Sequence, residues 1–347
     1  MDFLTQVALG GVIGHAVANT KTSTPLGKKA IITGALLGAL PDADVLIQFG
    51  NDVNNFIYHR SFSHSVFVLM TLSICLYFLA NIGLKKHLKK YNLDKVRLLL
   101  LVALPLLTHP ILDSFTVYGT QLFWPLFTDL NGRSPESWST LFIIDPIYTT
   151  PLLIALYYAI KYPPKVKASV LALGFSCCYL AFSLGVKQLI ETRANELAKQ
   201  NNIHDAKIVT IPTPFNTLLW RAVIMQDNHY QTAYISLFNQ KKAFLSEPIK
   251  HNKKITELNN QRSPNHRGLL ENNDALKKLD WFTHGFYRLD EDDNHIIATD
   301  LRMGVEGAYV FRFAIAHTSK ESQDKKIPFK LRNDIDFSKL KGIYRHF

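Results

Sequence analysis

The chain has 347 residues, 47% of them hydrophobic, and carries a formal net charge of +11. All three cysteines, Cys75, Cys177 and Cys178, lie inside apolar stretches, which excludes a disulfide framework and a cysteine-based zinc site. No nucleic-acid-binding motif accompanies the positive charge, so we expect no nucleic-acid partner.

The acidic residues divide the chain into two parts. Only nine of the 28 precede residue 191, so residues 1–190 are apolar and residues 191–347 have the composition of an ordinary soluble domain. The expected fold class is therefore a mainly α-helical multi-pass membrane domain, with four to six membrane helices, followed by a soluble, β-rich α+β domain.

Six apolar stretches follow one another in the first part. A helix that crosses the bilayer core needs about 20 apolar residues. Residues 65–84 and 168–188 meet this length without interruption, whereas the other four stretches contain ionisable residues. These four are residues 3–19, 29–49, 96–116 and 141–160.

The connections between the stretches differ in basic charge. One alternating set contains twelve Lys and Arg residues, and the other set, residues 50–64 and 117–140, contains only Arg60 and Arg133. Positively charged short loops stay in the cytoplasm. We therefore expect six spans in the cytoplasmic (inner) membrane, with both termini and the domain of residues 191–347 outside the cytoplasm.

The second part contains patterns typical of strands. In residues 206–212, 230–238 and 308–316, β-branched and aromatic residues partly alternate with polar ones. The turn-forming run 291–294 separates two further segments of this kind, 286–289 and 295–301, as in a hairpin. The histidines of this domain have no paired ligand spacing, so we expect it to cover or gate a membrane site without providing metal ligands.

Several ionisable residues interrupt or border the apolar stretches of the first part. Such groups cost several kcal/mol inside a membrane unless they are paired, hydrated or metal-bound. They are Asp42, Asp44, His59, His64, His109 and Asp113. Asp42 lies 14 residues beyond Lys28, about 21 Å along a helix, and His109 lies 13 beyond Val96, about 20 Å. Both reach the outer half of a bilayer about 30 Å thick, where His64 precedes the third stretch.

These residues have the ligand chemistry of a divalent metal site. Imidazole and carboxylate groups bind zinc, manganese and iron, and the absence of thiolate argues against a structural cysteine site. His109 and Asp113 share one helical face, one turn apart. The short connection between the third and fourth stretches makes those helices antiparallel neighbours, so we expect His64 and His109 to contribute to one site that holds zinc or manganese.

Individual residues also have simpler interpretations. A lone histidine in an apolar segment is more often a packing residue than a ligand, and His15 lies toward the cytoplasmic side of its stretch, away from the others. Asp42 or Asp44 alone can cap a helix end. Arg60 is expected to pair with a carboxylate or to bind an anionic substrate group. The joint occurrence of these residues favours a metal site.

The order of the motifs resembles a known family, the YdjM-like family of membrane-bound metal-dependent hydrolases, over about residues 1–160. The motifs that carry the resemblance are His15, LPDAD at 40–44, HRSFSHS at 59–65 and HPILD at 109–113, followed by Thr116, Gly119 and Pro125. The resemblance implies metal-ligand roles for seven residues: His15, Asp42, Asp44, His59, His64, His109 and Asp113. The second part, with PTPFN at 212–216, resembles the extension of larger family members.

The leading hypothesis is a membrane-bound metal-dependent hydrolase that acts at the outer face of the cytoplasmic membrane on a lipid-like or phosphoester substrate. A divalent ion would activate water and polarise the substrate, with Asp42 or Asp44 as general base and Arg60 as a further catalytic residue. The alternative is a metal or proton transporter, which would need polar residues that continue toward the cytoplasm. A third interpretation is a membrane-anchored regulator with a vestigial site.

Overall fold

The computed structural model describes residues 1–19, 26–126, 135–227, 229–238, 243–250, 273–292, 294–318 and 326–332. The regular elements described before residue 201 are all helices. The α-helices are α1 (Phe3–Asn19), α2 (Lys28–Ala39), α3 (Asp52–Tyr58), α4 (Val66–Gly83), α5 (Lys85–Lys90), α6 (Lys95–Ser114), α7 (Pro146–Lys161) and α8 (Lys167–Gln200). Two 3₁₀ helices, Leu40–Leu46 and Phe62–His64, lie before α3 and α4. Two residues of the loop-charge count, Lys21 and Arg133, lie outside the described residues.

Three of the described helices, α4, α6 and α8, are long and apolar enough to cross a membrane, and α1 is a shorter apolar helix. The stretch 29–49 differs from the predicted span, because α2 has only 12 residues and the chain continues as the 3₁₀ helix Leu40–Leu46. Pro41 at the start of that segment has no backbone N–H to continue the α-helical bonding. The stretch 141–160 forms α7, and Asp145 caps it by accepting from the Ile147 and Tyr148 nitrogens.

Glycines allow α1 and α2 to pack with their backbones in contact. A Cβ on Gly34 would collide with the Gly10 carbonyl oxygen, and a Cβ on Gly14 would collide with the Ala30 carbonyl oxygen. Small residues four apart permit this close approach between membrane helices. The pair then packs against α6 and α7.

The helical bundle has two chemically different ends. At the basic end, Lys29 Nζ donates to the Tyr91 hydroxyl at 3.1 Å, and Gly27 lies beside Pro163. From there α2, α6 and α8 start toward the opposite end, which we call the site end because Asp42, His64, His109 and Asp113 lie there. Helix α4 runs back over 18 residues, a rise of about 27 Å.

Helix α8 carries the chain from the bundle into the β-rich domain. Its 34 residues extend about 51 Å, which exceeds the bilayer core. Beyond the apolar part, Val186 and Ile190 pack against Trp220 in the core of the first sheet. The β-rich domain therefore lies at the site end of the bundle.

In the described residues, this domain consists of a five-stranded sheet, a four-stranded sheet, a two-stranded sheet and one helix. The strands and the helix are β1 (Lys207–Pro212), β2 (Leu219–Met225), β3 (His229–Ser236), β4 (Phe244–Leu245), β5 (Ile249–Lys250), α9 (Asp274–Thr283), β6 (Tyr287–Glu291), β7 (His295–Asp300), β8 (Gly304–Val305), β9 (Ala308–Tyr309), β10 (Arg312–His317) and β11 (Phe329–Lys330). The first sheet has the order β1-β2-β3-β4 with β5 also on β3, the second has the order β11-β10-β7-β6, and β8 pairs with β9. Pairing of β6 with β7 confirms the predicted hairpin, and the helical membrane region followed by a β-rich domain confirms the predicted fold class.

The two domains share a hydrophobic core at α3. Phe56 of α3 packs its ring against Phe282 of α9 and Phe313 of β10, with centroids 4.6 and 5.2 Å apart. Val53 and Ile57 belong to the same buried cluster. Since α3 leads directly into the turn that carries His59 and Arg60, the β-rich domain helps to hold that turn in place.

Candidate metal centre

Side chains from three separate segments meet at the site end. Asp42 lies in the 3₁₀ helix that follows α2, and His64 ends the 3₁₀ helix that precedes α4. His109 and Asp113 lie one turn apart near the end of α6. One potential ligand atom from each of the four residues lies within 4.8 Å of the others. The two histidines and Asp113 are fully buried, whereas the Asp42 side chain is 19% exposed and gives the cluster its accessible side.

The two imidazole rings face each other through their Nε2 atoms, which lie 3.1 Å apart. Asp42 Oδ1 lies 3.5 Å from His64 Nε2 and 3.4 Å from His109 Nε2. Asp113 Oδ2 lies 3.4 Å and 3.6 Å from the same two nitrogens. The structure therefore brings His64 and His109 together, and their contribution to one metal site stays a prediction.

Hydrogen bonds on the far side of each ring determine which nitrogen carries the proton. His109 Nδ1 lies 2.5 Å from the Gly38 carbonyl oxygen, and because a carbonyl only accepts, Nδ1 is the donor. Ser63 Oγ donates to Asp44 Oδ2 at 2.6 Å, so it accepts from His64 Nδ1 at 2.9 Å. Each neutral ring then points the lone pair of its Nε2 at the other ring. Two such lone pairs repel unless a cation or a proton lies between them.

The carboxylate of Asp113 supplies a second test of whether these residues fit a metal ion. Its Oδ2 is buried and has no hydrogen-bond partner, although a buried carboxylate oxygen left unbonded is costly. A divalent cation beside Oδ2 and the two Nε2 atoms would satisfy all of these groups. Two imidazoles and two carboxylates form a donor set suited to zinc or manganese, so the residues can hold a divalent metal ion.

Both oxygens of the Asp113 carboxylate have further contacts. Arg60 Nε lies 3.1 Å from Asp113 Oδ2 and forms an ion pair whose angle is not that of a hydrogen bond. Gln6 Nε2 donates to Asp113 Oδ1 at 2.9 Å, and the Met1 nitrogen also contacts Oδ1. Arg60 therefore shows the carboxylate pairing expected for it, and α1 contributes to positioning Asp113.

Tyr118 supports Arg60 from the loop after α6. The Arg60 guanidinium lies over the Tyr118 ring, 5.1 Å from its centroid. Burial raises the pKa of the Tyr118 hydroxyl, which stays protonated at neutral pH and donates to the Phe56 carbonyl oxygen. Arg60 has a φ of 65°, a left-handed conformation that non-glycine residues rarely adopt and that often marks functional sites.

Asp44 and His59 lie beside the four-residue cluster. Asp44 Oδ1 accepts from His59 Nδ1 at 2.9 Å, and Oδ2 accepts from the Arg60 nitrogen at 2.9 Å and from Ser63 Oγ. With both oxygens engaged, Asp44 acts on the His64 ring through Ser63. The His59 side chain is 29% exposed.

His15 lies away from the cluster. Its Nδ1 lies 2.8 Å from Ser169 Oγ and its Nε2 lies 2.9 Å from the Pro163 carbonyl oxygen. Both partners are near the start of α8, at the basic end. The structure does not bring His15 together with the other six residues, and its hydrogen bonds correspond to the packing interpretation.

A cavity of about 710 Å³ lies between the site end and the β-rich domain. Asp44, His59 and Arg60 line it on the membrane-domain side. The four residues of the cluster do not line it. Arg60 reaches both, since it contacts Asp113 and lines the cavity.

Sequence patterns did not identify every contributor to the site. The Gly38 carbonyl, Ser63 as a bridge between Asp44 and His64, and Gln6 act through contacts that depend on packing. Ser63 lies in the histidine-rich motif, and its position beside His64 was the signal that could have suggested its role. Gly38 and Gln6 lie in apolar helices without a comparable signal.

Comparisons with known proteins concern mainly the first part of the chain. The sequence model of the YdjM inner membrane protein family matches residues 1–189, which include the cluster. The inner membrane protein YbcI of Escherichia coli (strain K12) is 34% identical over 120 residues. That match covers 33% of this chain and 65% of YbcI. No solved structure matches.

Proposed function

This chain belongs to the YdjM inner membrane protein family, and we propose that it is a metal-dependent hydrolase of the inner membrane. The observation that supports the proposal best is the pair of Nε2 atoms 3.1 Å apart, which face each other beside the buried Oδ2 of Asp113. We further propose that the site lies at the outer face of the membrane and that its substrate is a lipid or another phosphoester.

In this proposal, four side chains are metal ligands and Arg60 orients the substrate. Asp42, His64, His109 and Asp113 would hold zinc or manganese, which supplies Lewis acidity and lowers the pKa of water toward neutrality. Arg60, with its backbone nitrogen bound to Asp44 and its guanidinium beside Asp113, orients an anionic group that reaches the cluster from the cavity. The apolar cavity wall limits competing water.

His59 is the best placed proton acceptor. Its Nδ1 donates to Asp44, so in the neutral ring the other nitrogen, Nε2, is free of a proton and can take one from water. A carboxylate that orients an imidazole in this way is a recurring arrangement in hydrolases. Asp44 would therefore act as a positioning residue for both His59 and His64.

Metal analysis and lipid hydrolysis assays on the purified protein test this proposal. We expect about one or two equivalents of zinc or manganese per chain, and release of product from phosphoester or ester lipids that stops when the metal is removed. His64→Ala and His109→Ala should each lose the bound metal and the hydrolysis while still inserting into the membrane. His295→Ala, in β7 of the β-rich domain, is the matched control and should keep both.

Two results would contradict the proposal. Wild-type metal content in both His64→Ala and His109→Ala would show that the cluster is not the metal site. Metal binding without any hydrolysis, combined with metal-dependent flux in reconstituted vesicles, would instead favour the transporter.

A further inference from the structure

Arg221 of β2 is a buried cation with no counter-charge among the residues that the structure describes. Its side chain is 3% exposed, and its Nη2 donates to the Leu301 carbonyl oxygen. Its Nη1 has no hydrogen-bond partner, and no described carboxylate forms an ion pair with it. A buried guanidinium in this situation is costly, because it has lost water and gained only a carbonyl.

Two acidic residues, one at the end of β7 and one in the segment that follows it, form ion pairs with other arginines. Asp300 accepts two hydrogen bonds from Arg302, at 3.0 and 2.8 Å. Glu306 accepts from Arg288 at 2.9 Å. Arg221 itself lies over the Tyr309 ring, 5.8 Å from the centroid. Tyr309 adds cation–π attraction without neutralising the charge.

Arg221 lines the same cavity as His59 and Arg60. Most of the remaining wall is apolar and includes Phe56, Leu141, Ile211, Val305 and Phe311. The cavity therefore combines a cation that no described carboxylate neutralises with a surface suited to hydrocarbon.

Apolar residues on the membrane-domain side of the cavity are also exposed at the protein surface. Val45, Ile47 and Ile143 line the cavity and are 67%, 43% and 44% exposed. All three lie at the site end of the bundle, in segments next to α2 and α7. Entry to the cavity along these side chains would favour a molecule that arrives from the bilayer over one that arrives from water.

We propose that the cavity binds a single amphiphilic anion, a lipid phosphate, whose acidic group pairs with Arg221 and whose hydrocarbon part lies along the apolar wall. A guanidinium binds phosphate through two parallel hydrogen bonds, and Nη1 is the unused donor here. The inference rests on the proposed function, because it names the substrate class of the same site. It assigns to the β-rich domain the task of recognising the substrate, while the membrane domain carries the metal ligands.

A binding experiment in dodecyl maltoside micelles tests this assignment. The probes are hexadecyl phosphate, hexadecanol and inorganic phosphate, each titrated against the purified full-length protein. We expect the wild type to bind hexadecyl phosphate at least tenfold more tightly than either of the other two. Comparable affinity for inorganic phosphate would identify a free-phosphate site and overturn the lipid assignment.

Variants then locate the anion. Arg221→Met should weaken hexadecyl phosphate binding at least tenfold and leave hexadecanol binding unchanged, and Arg221→Lys should retain part of the preference for phosphate. Arg193→Met is the matched control, since Arg193 also donates to backbone carbonyls, of Ser236 and Leu237, but does not line the cavity. Equal phosphate binding by wild type and Arg221→Met would overturn the proposal. Should Arg221→Met fail to fold, a wild type that does not prefer the phosphate over the alcohol would overturn it equally.

Product formation is measured in the same samples. If hexadecyl phosphate binding depends on Arg221 but no hydrolysis product forms, this inference is supported and the proposed hydrolase activity is contradicted. Product formed equally by wild type and Arg221→Met, with equal binding, would support the hydrolase and overturn the role of Arg221.

Discussion

Residues outside the four-residue cluster determine how its side chains are oriented toward the proposed metal position. Asp44 fixes Ser63, and Ser63 fixes the Nδ1 proton of His64. Such outer contacts typically contribute 10–100-fold to metal affinity. We therefore expect Asp44→Asn to weaken metal binding by about this factor without abolishing it, because the Asn amide group cannot accept from all three donors.

The measurement is a competition titration with a chelator of known affinity. Asp52→Asn is the matched control, since Asp52 also accepts a backbone hydrogen bond, from the Lys330 nitrogen at 2.7 Å, but lies on α3 away from His64. An Asp44→Asn affinity equal to that of Asp52→Asn would mean that the Ser63 bridge does not influence the metal site.

His15 tests the ligand set that the family resemblance implies. Because its ring is bonded to Ser169 and the Pro163 carbonyl at the basic end, His15→Ala should retain wild-type metal content. The substitution should lower the thermal stability, because a buried hydroxyl and a backbone carbonyl lose their hydrogen-bond partner. Such a loss costs about 1–3 kcal/mol of unfolding free energy. Loss of metal from a folded His15→Ala protein, as large as that from His64→Ala, would support the ligand role instead.

At the scale of elements, the packing of α1 on α2 determines the position of one ligand. Gly38 of α2 accepts the Nδ1 proton of His109, and Gly34, one turn earlier, touches the α1 backbone. Gly34→Ala places a methyl group against the Gly10 carbonyl, so the helices must separate at a cost of about 1–3 kcal/mol. We expect a lower unfolding temperature and weaker metal binding.

Gly174 provides the control for this substitution. It lies inside α8, and a Cβ there meets nothing within 4 Å, so Gly174→Ala should be neutral or slightly stabilising because alanine is the better helix former. Equal unfolding temperatures for the two variants would show that the contact between α1 and α2 is not tight in the protein.

Hydropathy predicted most of the elements but not how α2 ends. The stretch 29–49 contains enough apolar residues for a span, yet the helix stops at Ala39 before Pro41. Hydropathy counts apolar side chains and ignores the backbone hydrogen-bond donor that a proline removes. The resulting 3₁₀ segment turns Asp42 toward His64 and His109. Spacing along a straight helix predicted only that these residues lie at the same membrane level.

For the whole molecule, the order of a helical membrane part and a β-rich part could be predicted from composition. The contact of α3 with the second sheet could not, because Phe56 meets Phe282 and Phe313 across more than 200 residues of sequence. Contacts of that kind leave no local periodicity. The cavity and the burial of Arg221 depend on this contact between the two domains. For that reason, the sequence did not distinguish Arg221 from a surface arginine.

The orientation of the whole molecule in the membrane is a prediction, and the fold shows which parts of the chain must lie on the same side. The cluster and the β-rich domain lie at one end of the bundle, and Lys28, Lys29 and the lysines of α5 lie at the other. Because basic connections are retained in the cytoplasm, the cluster and the β-rich domain should both be extracytoplasmic.

A phosphatase reporter, active only outside the cytoplasm, should be active after Phe347 and inactive after Lys90, and a fluorescent reporter that matures only in the cytoplasm should show the reverse. Since the same helices link the two ends, a cytoplasmic result after Phe347 would also move the proposed metal site to the cytoplasmic face.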